Sequence, residues 1–226
     1  MQQIKVLDKT YTVQDHWFWK EYNETNWEER TLEIYKQYLN KNTVYIDIGT
    51  WLGVTIFYAN EIGCKSIYGV EANPLSYELT SSNCILNDIN AHLENIAITD
   101  KSGMVHFGST NTNETSSASS LRGDKFLVQG KTFTEYLKDK PKDNLFVKID
   151  IEGAEELIVS ELKQIKGYIW LSIHVPFISD KERFYKELSK YNVLCDNLKE
   201  RIFTDETYTP WGTDYGNFFE VLINNT

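Results

Sequence analysis

From residue 43 onward the chain alternates two apolar patterns. Short runs that are apolar on both sides ("TVYIDI", "SIYGVEA", "NLFVKIDI", "GYIWLSIHV") read as strands buried on two faces. Between and after them lie segments with helix-spaced apolar positions: "LGVTIFYANEIG", "NPLSYELTSSNCILN", "TFTEYLK", "GAEELIVSELKQI" and "SDKERFYKELSKY". Gly63 is a natural stop for the first of these. Asn73 suits a helix cap and Pro74 the first helical position. Thr132 with Glu135, and Ser179 with Glu182, have capping-box spacing. "AHLENIAIT" is expected as a third strand, "GMVHFG" as a small extra one, and "DYGNFFEVLIN" as the closing strand. The polar, low-complexity "STNTNETSSASSLRGD" is expected as a loop. Upstream, residues 15–39 are aromatic and then helical, with "TNWE" (Thr25 and Glu28) offering a capping box.

Strands alternating with helices predict an α/β fold with a parallel sheet covered on both faces. In such sheets ligands sit at the carboxyl ends of the strands, near the point where strand order reverses. That position, rather than polarity, selects Asp47, Gly49, Glu71, Asn95, Ala97, Asp150 and His174. No repeat or Pro/Gly linker divides the chain, so one globular unit over 43–226 is expected, preceded by an aromatic, helical lid segment over 1–42.

Composition adds exclusions. A 226-residue chain with 41% hydrophobic and 14% aromatic residues can bury a core. A formal net charge of −10 argues against a nucleic-acid partner, which calls for clustered Lys and Arg. The three cysteines (Cys64, Cys84, Cys195) are scattered and form no C-x-x-C pair, which reads as reduced thiols in a cytoplasmic protein. "MQQIKVLDKT" lacks a secretory apolar core, and no apolar run predicts membrane insertion. Oligomeric state is not legible.

The chemistry concentrates at "YIDIGTWLGV". The dinucleotide fingerprint G-x-G-x-x-G is absent, Trp51 crowds the turn, and no Lys or Arg occurs in residues 42–64. An acid there suits a ligand carrying positive charge, as S-adenosylmethionine does through its ammonium and sulfonium. Glu71, 24 residues beyond Asp47, is then placed for ribose hydroxyls. Gly53 is also explained by close packing of helix on strand. NAD, and with it a dehydrogenase, is the poorer match.

With "YIDIGTWLG", "YGVEANPLSYELTSSNCILN", "ENIAITDKSGMVHF", "KTFTEYL" and "VKIDIEGAEELIV" in that order, the chain resembles the FkbM family of S-adenosylmethionine-dependent methyltransferases over roughly residues 43–175. The resemblance implies a class I methyltransferase (Rossmann-like) fold: a mostly parallel seven-stranded sheet, helices on both faces, last strand antiparallel. It implies S-adenosyl-L-methionine as cofactor, bound by Asp47, Gly49, Thr50, Trp51, Gly53, Glu71, Ala72, Asn73, Asn95, Ala97 and Glu28. Asp47 and Gly49 would line its methionine part, Glu71 the ribose, and Asn95 and Ala97 the adenine. Methyl transfer to a hydroxyl of a sugar or glycan is implied, with a polyketide-like natural product as the alternative acceptor. Two features depart from the family pattern: the bulky Trp51, and the unmatched "TYTPWGTDYGNFF".

An alcohol is a weak acid, so transfer to it needs a base or a metal. His174 as general base, with Asp150 holding it or the substrate and Lys148 fixing that carboxylate, is the expected mechanism. A divalent metal on Asp150, Glu152 and His174 is the competing one. Glu155 and Glu156 fall in a first helical turn, where the dipole explains them. His16, Trp17, Trp19, Tyr22 and Trp27 could stack on a ligand or fill the core, and residues 109–122 could close over an acceptor. A cofactor-binding module without catalysis remains the non-enzyme reading.

Overall fold

The computed structural model describes residues 1–25, 27–108, 115, 119–195, 197–203 and 218–226. The chain opens with a hairpin, β1 (Gln2–Val6) and β2 (Lys9–Val13), then α1 (Phe18–Glu24) and α2 (Glu29–Tyr38). The alternating part follows: β3 (Val44–Ile48), α3 (Val54–Ile62), β4 (Ser66–Val70), α4 (Pro74–Leu86), β5 (Ala91–Glu94). Next come β6 (Ala97–Thr99), β7 (Gly103–Phe107), β8 (Phe126–Thr132), α5 (Phe133–Leu137), β9 (Leu145–Ile149) and α6 (Glu155–Ile158). The described chain ends with β10 (Gly167–His174), α7 (Lys181–Leu188), β11 (Asn192–Leu194), α8 (Leu198–Phe203) and β12 (Phe218–Asn224).

Seven strands form the main sheet in the order β11-β12-β10-β9-β3-β4-β5. β10, β9, β3, β4 and β5 run parallel, while β12 is antiparallel to both β10 and β11. Strand order turns at β3, which has β4 on one side and β9 on the other, so the fold's ligand crevice lies at the carboxyl ends of these strands. This is the class I methyltransferase architecture.

Residues of β3 alternate between two cores. Val44, Ile46 and Ile48 pack with α5, α6 and α7. Tyr45 joins a second cluster with Phe57, Phe146 and Trp170, and that cluster also takes in Ile4, Tyr11, Phe18, Trp19 and Tyr35 of the first 42 residues. The N-terminal segment therefore shares its core with the sheet.

Several expected boundaries shift for identifiable reasons. "AHLENIAIT" is two strands in two sheets: Asn95 leaves the ladder and its Nδ2 bonds the Glu71 and Ala72 carbonyls at 2.7 and 3.1 Å. β6 then pairs with β8 in a separate three-stranded sheet. The helix expected from Gly153 shrinks to α6 followed by a 3₁₀ stretch, Val159–Gln164. Asn225 Nδ2 donates to the Leu162 and Ile165 carbonyls near its end, both at 3.0 Å. Asp180, not Ser179, caps α7 by accepting from the Arg183 amide at 2.9 Å, because the Ser179 hydroxyl is committed to Glu156. The Thr132–Glu135 box and the Asn73 cap form as read. The Thr25–Glu28 box does not: Glu28 starts α2 at φ 50° with no side-chain cap bond. Of the Ser/Thr stretch, 109–114 and 116–118 lie outside the described residues, as does the C-terminal run 204–217. Among the described residues no helix is long and apolar enough to cross a membrane.

Candidate functional site

The turn after β3 is shaped by close backbone approach. Gly49 has φ +88°, and a Cβ there would stand 1.9 Å from the Asp150 carbonyl oxygen. Gly53, at the start of α3, lies against Thr80 of α4, where a Cβ would be 2.8 Å from its Cγ2. Its packing is thus helix to helix rather than helix to strand. Trp51, between them, takes φ 47°, which a bulky residue adopts only when its surroundings enforce it. Its amide donates to Glu71 Oε2 at 2.7 Å, its carbonyl accepts from Thr80 Oγ1, and its indole N–H donates to the Thr115 carbonyl at 2.8 Å.

A cavity of about 530 Å³ opens at this edge of the sheet. Gly49, Thr50, Trp51, Glu71, Ala72, Ala97, Glu28, Lys148, Asp150, Glu152 and His174 all line it. Asp47, Gly53, Asn73 and Asn95 do not. Asn73 caps α4 and donates its amide to Glu71 Oε1 at 2.7 Å, and Asn95 braces the Glu71–Ala72 backbone. These two shape the site from behind. Ile96, Ile98, Phe107 and Leu121 contribute apolar lining. Trp17, Phe18 and Trp27 of the N-terminal segment also line the cavity, Phe18 packing on Trp51, and Phe177 and Phe218 line it beside His174. Trp19 and Tyr22 belong to the core, and His16 Nε2 lies 2.9 Å from Thr115 Oγ1.

Asp47 is fully buried beneath the cavity. It accepts from Thr55 Oγ1, and its Oδ1 lies 3.5 Å from Lys148 Nζ, the residue directly opposite on β9. The cation that the first turn lacks in sequence therefore comes from β9, and Asp47 alone does not call for a charged ligand. Lys148 also donates to the Gly49 carbonyl at 3.1 Å and stands 3.6 Å from Asp150 Oδ2. Burial disfavours its charge, but Asp47, Asp150, Glu28 and Glu220 outweigh that, and its pKa is raised.

The case for a cationic ligand rests instead on the cavity lining as a whole. Glu21, Glu28, Glu29, Glu71, Asp150, Glu152 and Glu220 face Arg30, Lys148, Arg201 and His174. Burial lifts Glu28 to about 8 despite Lys148, and its Oε2 is buried without a hydrogen-bond partner among the described residues. Burial lifts Glu71 to about 7, opposed by the Asn73 and Trp51 amides. Thr50 Oγ1 is likewise buried with no partner among the described residues. Such orphaned acceptors in a polar cavity are positions for ligand hydrogen bonds.

At the β9–β10 edge, His174 Nε2 lies 3.7 Å from Asp150 Oδ1 and 3.4 Å from Glu152 Oε2, while Nδ1 lies 2.9 Å from Glu155 Oε1. Glu155, not Asp150, is the partner of Nδ1. Sequence reasoning set Glu155 aside as a first-turn acid, and its place six positions beyond the end of β9 gave no signal of the contact. Burial would lower the His174 pKa, but Glu155, Glu152 and Asp150 raise it to about 10. The neighbouring carboxylates thus favour the protonated form of the ring. Burial lifts Glu152 to about 7, opposed by His174. Asp150, Glu155 and His174 each bring one ligand-type atom within 4.8 Å of the others, so Glu155 replaces Glu152 in the metal set expected from sequence.

A family model described as the methyltransferase FkbM domain matches residues 41–200. No curated protein matches the chain. Among solved structures, the tRNA (uracil-54, C5)-methyltransferase of Pyrococcus abyssi in complex with S-adenosyl-L-homocysteine is 13% identical with a TM-score of 0.50, covering 98% of this chain and 43% of that one. TrmK of M. capricolum in complex with S-adenosyl-homocysteine is 15% identical with a TM-score of 0.49, covering 86% and 67%. Precorrin-6y C5,15-methyltransferase from Geobacter metallireducens is 18% identical with a TM-score of 0.46, covering 87% and 85%. At these identities the likeness is one of fold.

Proposed function

The chain belongs to the FkbM methyltransferase family, and from that premise we propose that it methylates a hydroxyl of a sugar or glycan, with S-adenosylmethionine in the 530 Å³ cavity. The observation that carries the reading is the acid-rich wall of Glu71, Asp150, Glu152 and Glu28, whose buried Oε2 has no partner among the described residues; a bound cation would draw Glu28 toward its charged form, so the wall matches a ligand with ammonium and sulfonium charges. Bound there, the cofactor supplies an electrophilic methyl group.

The chain's own residues do the rest. Glu71 spends one lone pair of each carboxylate oxygen on the Trp51 and Asn73 amides, leaving the others for ribose hydroxyls. Ile96, Ile98, Phe107 and Leu121, with Ala97, offer an apolar bed for adenine. Glu28 and Asp150 face the cationic methionine part, while Asp47 and Lys148 set the floor beneath it. The sugar reading draws on Phe177 and Phe218, apolar ring faces beside His174 and its carboxylates, with Trp17 also exposed in the cavity lining. Sugar rings stack on such faces and donate hydroxyls to such acids. Asp150 or Glu152 receives the hydroxyl proton, and the His174 imidazolium beside them holds both carboxylates in place.

The pH profile tests this assignment. In the free enzyme kcat/KM is expected to fall as pH approaches about 10, where His174 loses its proton, and a rise as pH passes about 7 marks Glu152 rather than Asp150 as the proton acceptor. Sugar acceptors assayed with labelled S-adenosylmethionine from pH 5 to 10.5 give the profile. A rate that keeps climbing toward pH 10 would instead identify neutral His174 as the base. Methylation of polyketide-like alcohols with no transfer to any sugar would overturn the acceptor class.

A further inference from the structure

Glu155 does more than its position in a first helical turn explains. α6 is only four residues long, and a first-turn acid gains about 0.3–1 kcal/mol from a helix dipole while exposed to solvent. Glu155 instead has a fully enclosed side chain, a placement that costs several kcal/mol unless its oxygens are used. Oε1 accepts from the Ile151 amide at 3.2 Å and lies 2.9 Å from His174 Nδ1. Oε2 is buried with no hydrogen-bond partner among the described residues.

The imidazole it touches is constrained on its faces too. The rings of Phe177 and Phe218 run nearly parallel to it, with interplanar angles of 23° and 22° and centroids 6.4 and 5.5 Å away. Flanking rings restrict its tilt, but they do not decide which nitrogen points to the cavity. Only a hydrogen-bond acceptor on one edge decides that. We propose that Glu155 is the positioning residue of the methyl-transfer site: its enclosed carboxylate holds His174 by Nδ1–H and thereby presents Nε2 to Asp150 and Glu152 at the cavity wall. The role in turnover rests on the reading under Proposed function; the ring geometry does not.

Two variants and two kinds of measurement separate these. Glu155→Ala removes the acceptor, and Glu155→Gln keeps an oxygen for Nδ1–H. Outer groups that orient a histidine typically contribute on the order of 10- to 100-fold, so Glu155→Ala is expected to lose that much in kcat. KM for both substrates and the affinity for S-adenosylhomocysteine should stay within about threefold, and Glu155→Gln should restore most of the loss. Independently, ¹⁵N-resolved NMR of the ligand-free protein is expected to show a downfield His174 Nδ1–H in the wild type. It should be lost in Glu155→Ala and moved upfield, but kept, in Glu155→Gln. Unchanged His174 resonances in a folded variant would overturn the proposal, as would loss of kcat, cofactor affinity and thermal midpoint together with no rescue by Gln. Should Glu155→Ala fail to fold, the Gln resonance decides alone: moved upfield it supports the contact, unchanged it removes it. A wild type that transfers no methyl group but shows these shifts would sink the reaction and leave the positioning contact standing.

Discussion

Asp150→Asn is expected to lower kcat by about 10²–10⁴, the range that a positioned proton acceptor contributes, while S-adenosylhomocysteine affinity changes by less than about threefold. The residue sits immediately after β9, its amide donating to the Ile48 carbonyl at 2.9 Å. Its side chain is 27% exposed at the cavity wall, between Lys148 Nζ at 3.6 Å and His174 Nε2 at 3.7 Å. Asn keeps the shape and one acceptor oxygen but cannot take the hydroxyl proton. It also leaves Lys148 with one fewer carboxylate, although Asp47 remains at 3.5 Å, so the fold should survive. Turnover measured beside calorimetric affinity checks the split. A drop of less than tenfold would move the proton-accepting role to Glu152, and equal losses in turnover and affinity would make Asp150 a binding residue only.

Gly49→Ala is expected to cost about 3–5 kcal/mol of stability, combining a left-handed backbone with overpacking. The new methyl would meet the Asp150 carbonyl oxygen at 1.9 Å, and φ is +88°. Relief requires β3 and β9 to part at the cavity floor. There Asp150 N–H bonds Ile48 O, Gly49 N–H bonds Val70 O at 2.9 Å, and Lys148 bonds Gly49 O. Urea unfolding with the slope unchanged gives the figure. A loss under about 1 kcal/mol would mean the turn relaxes easily, and that the first glycine serves ligand access rather than strand packing.

Much of this was legible because the main sheet is buried on both faces. "TVYIDI", "NLFVKIDI" and "GYIWLSIHV" leave little choice of structure, and strand ends in such a sheet define the crevice. The N-terminal hairpin was legible but overlooked. Ile4, Val6, Tyr11 and Val13 are buried while Lys5, Lys9 and Thr10 are exposed, the period-two pattern of a half-buried strand. β8 was hidden because it pairs with β7 across the low-complexity stretch, a contact that no local pattern announces. The site divides the same way. Glu71 follows from its place after β4, whereas Lys148 against Asp47 and Glu155 under His174 depend on register between strands and on a turn. Glu28 carries two sequence readings, a local cap with Thr25 and a cofactor contact implied by the resemblance; the cap does not form, and Glu28 lines the cavity.

The central claim is that the cavity beside Glu71 holds the methyl donor. Calorimetric titration with S-adenosylhomocysteine, in wild type and Glu71→Ala, tests it most directly. One-to-one binding is expected, weakened on the order of 10- to 100-fold in the variant, since hydrogen bonds to a charged acceptor contribute about 1.5–3 kcal/mol. No binding by the wild type, or equal binding by both proteins, would contradict it.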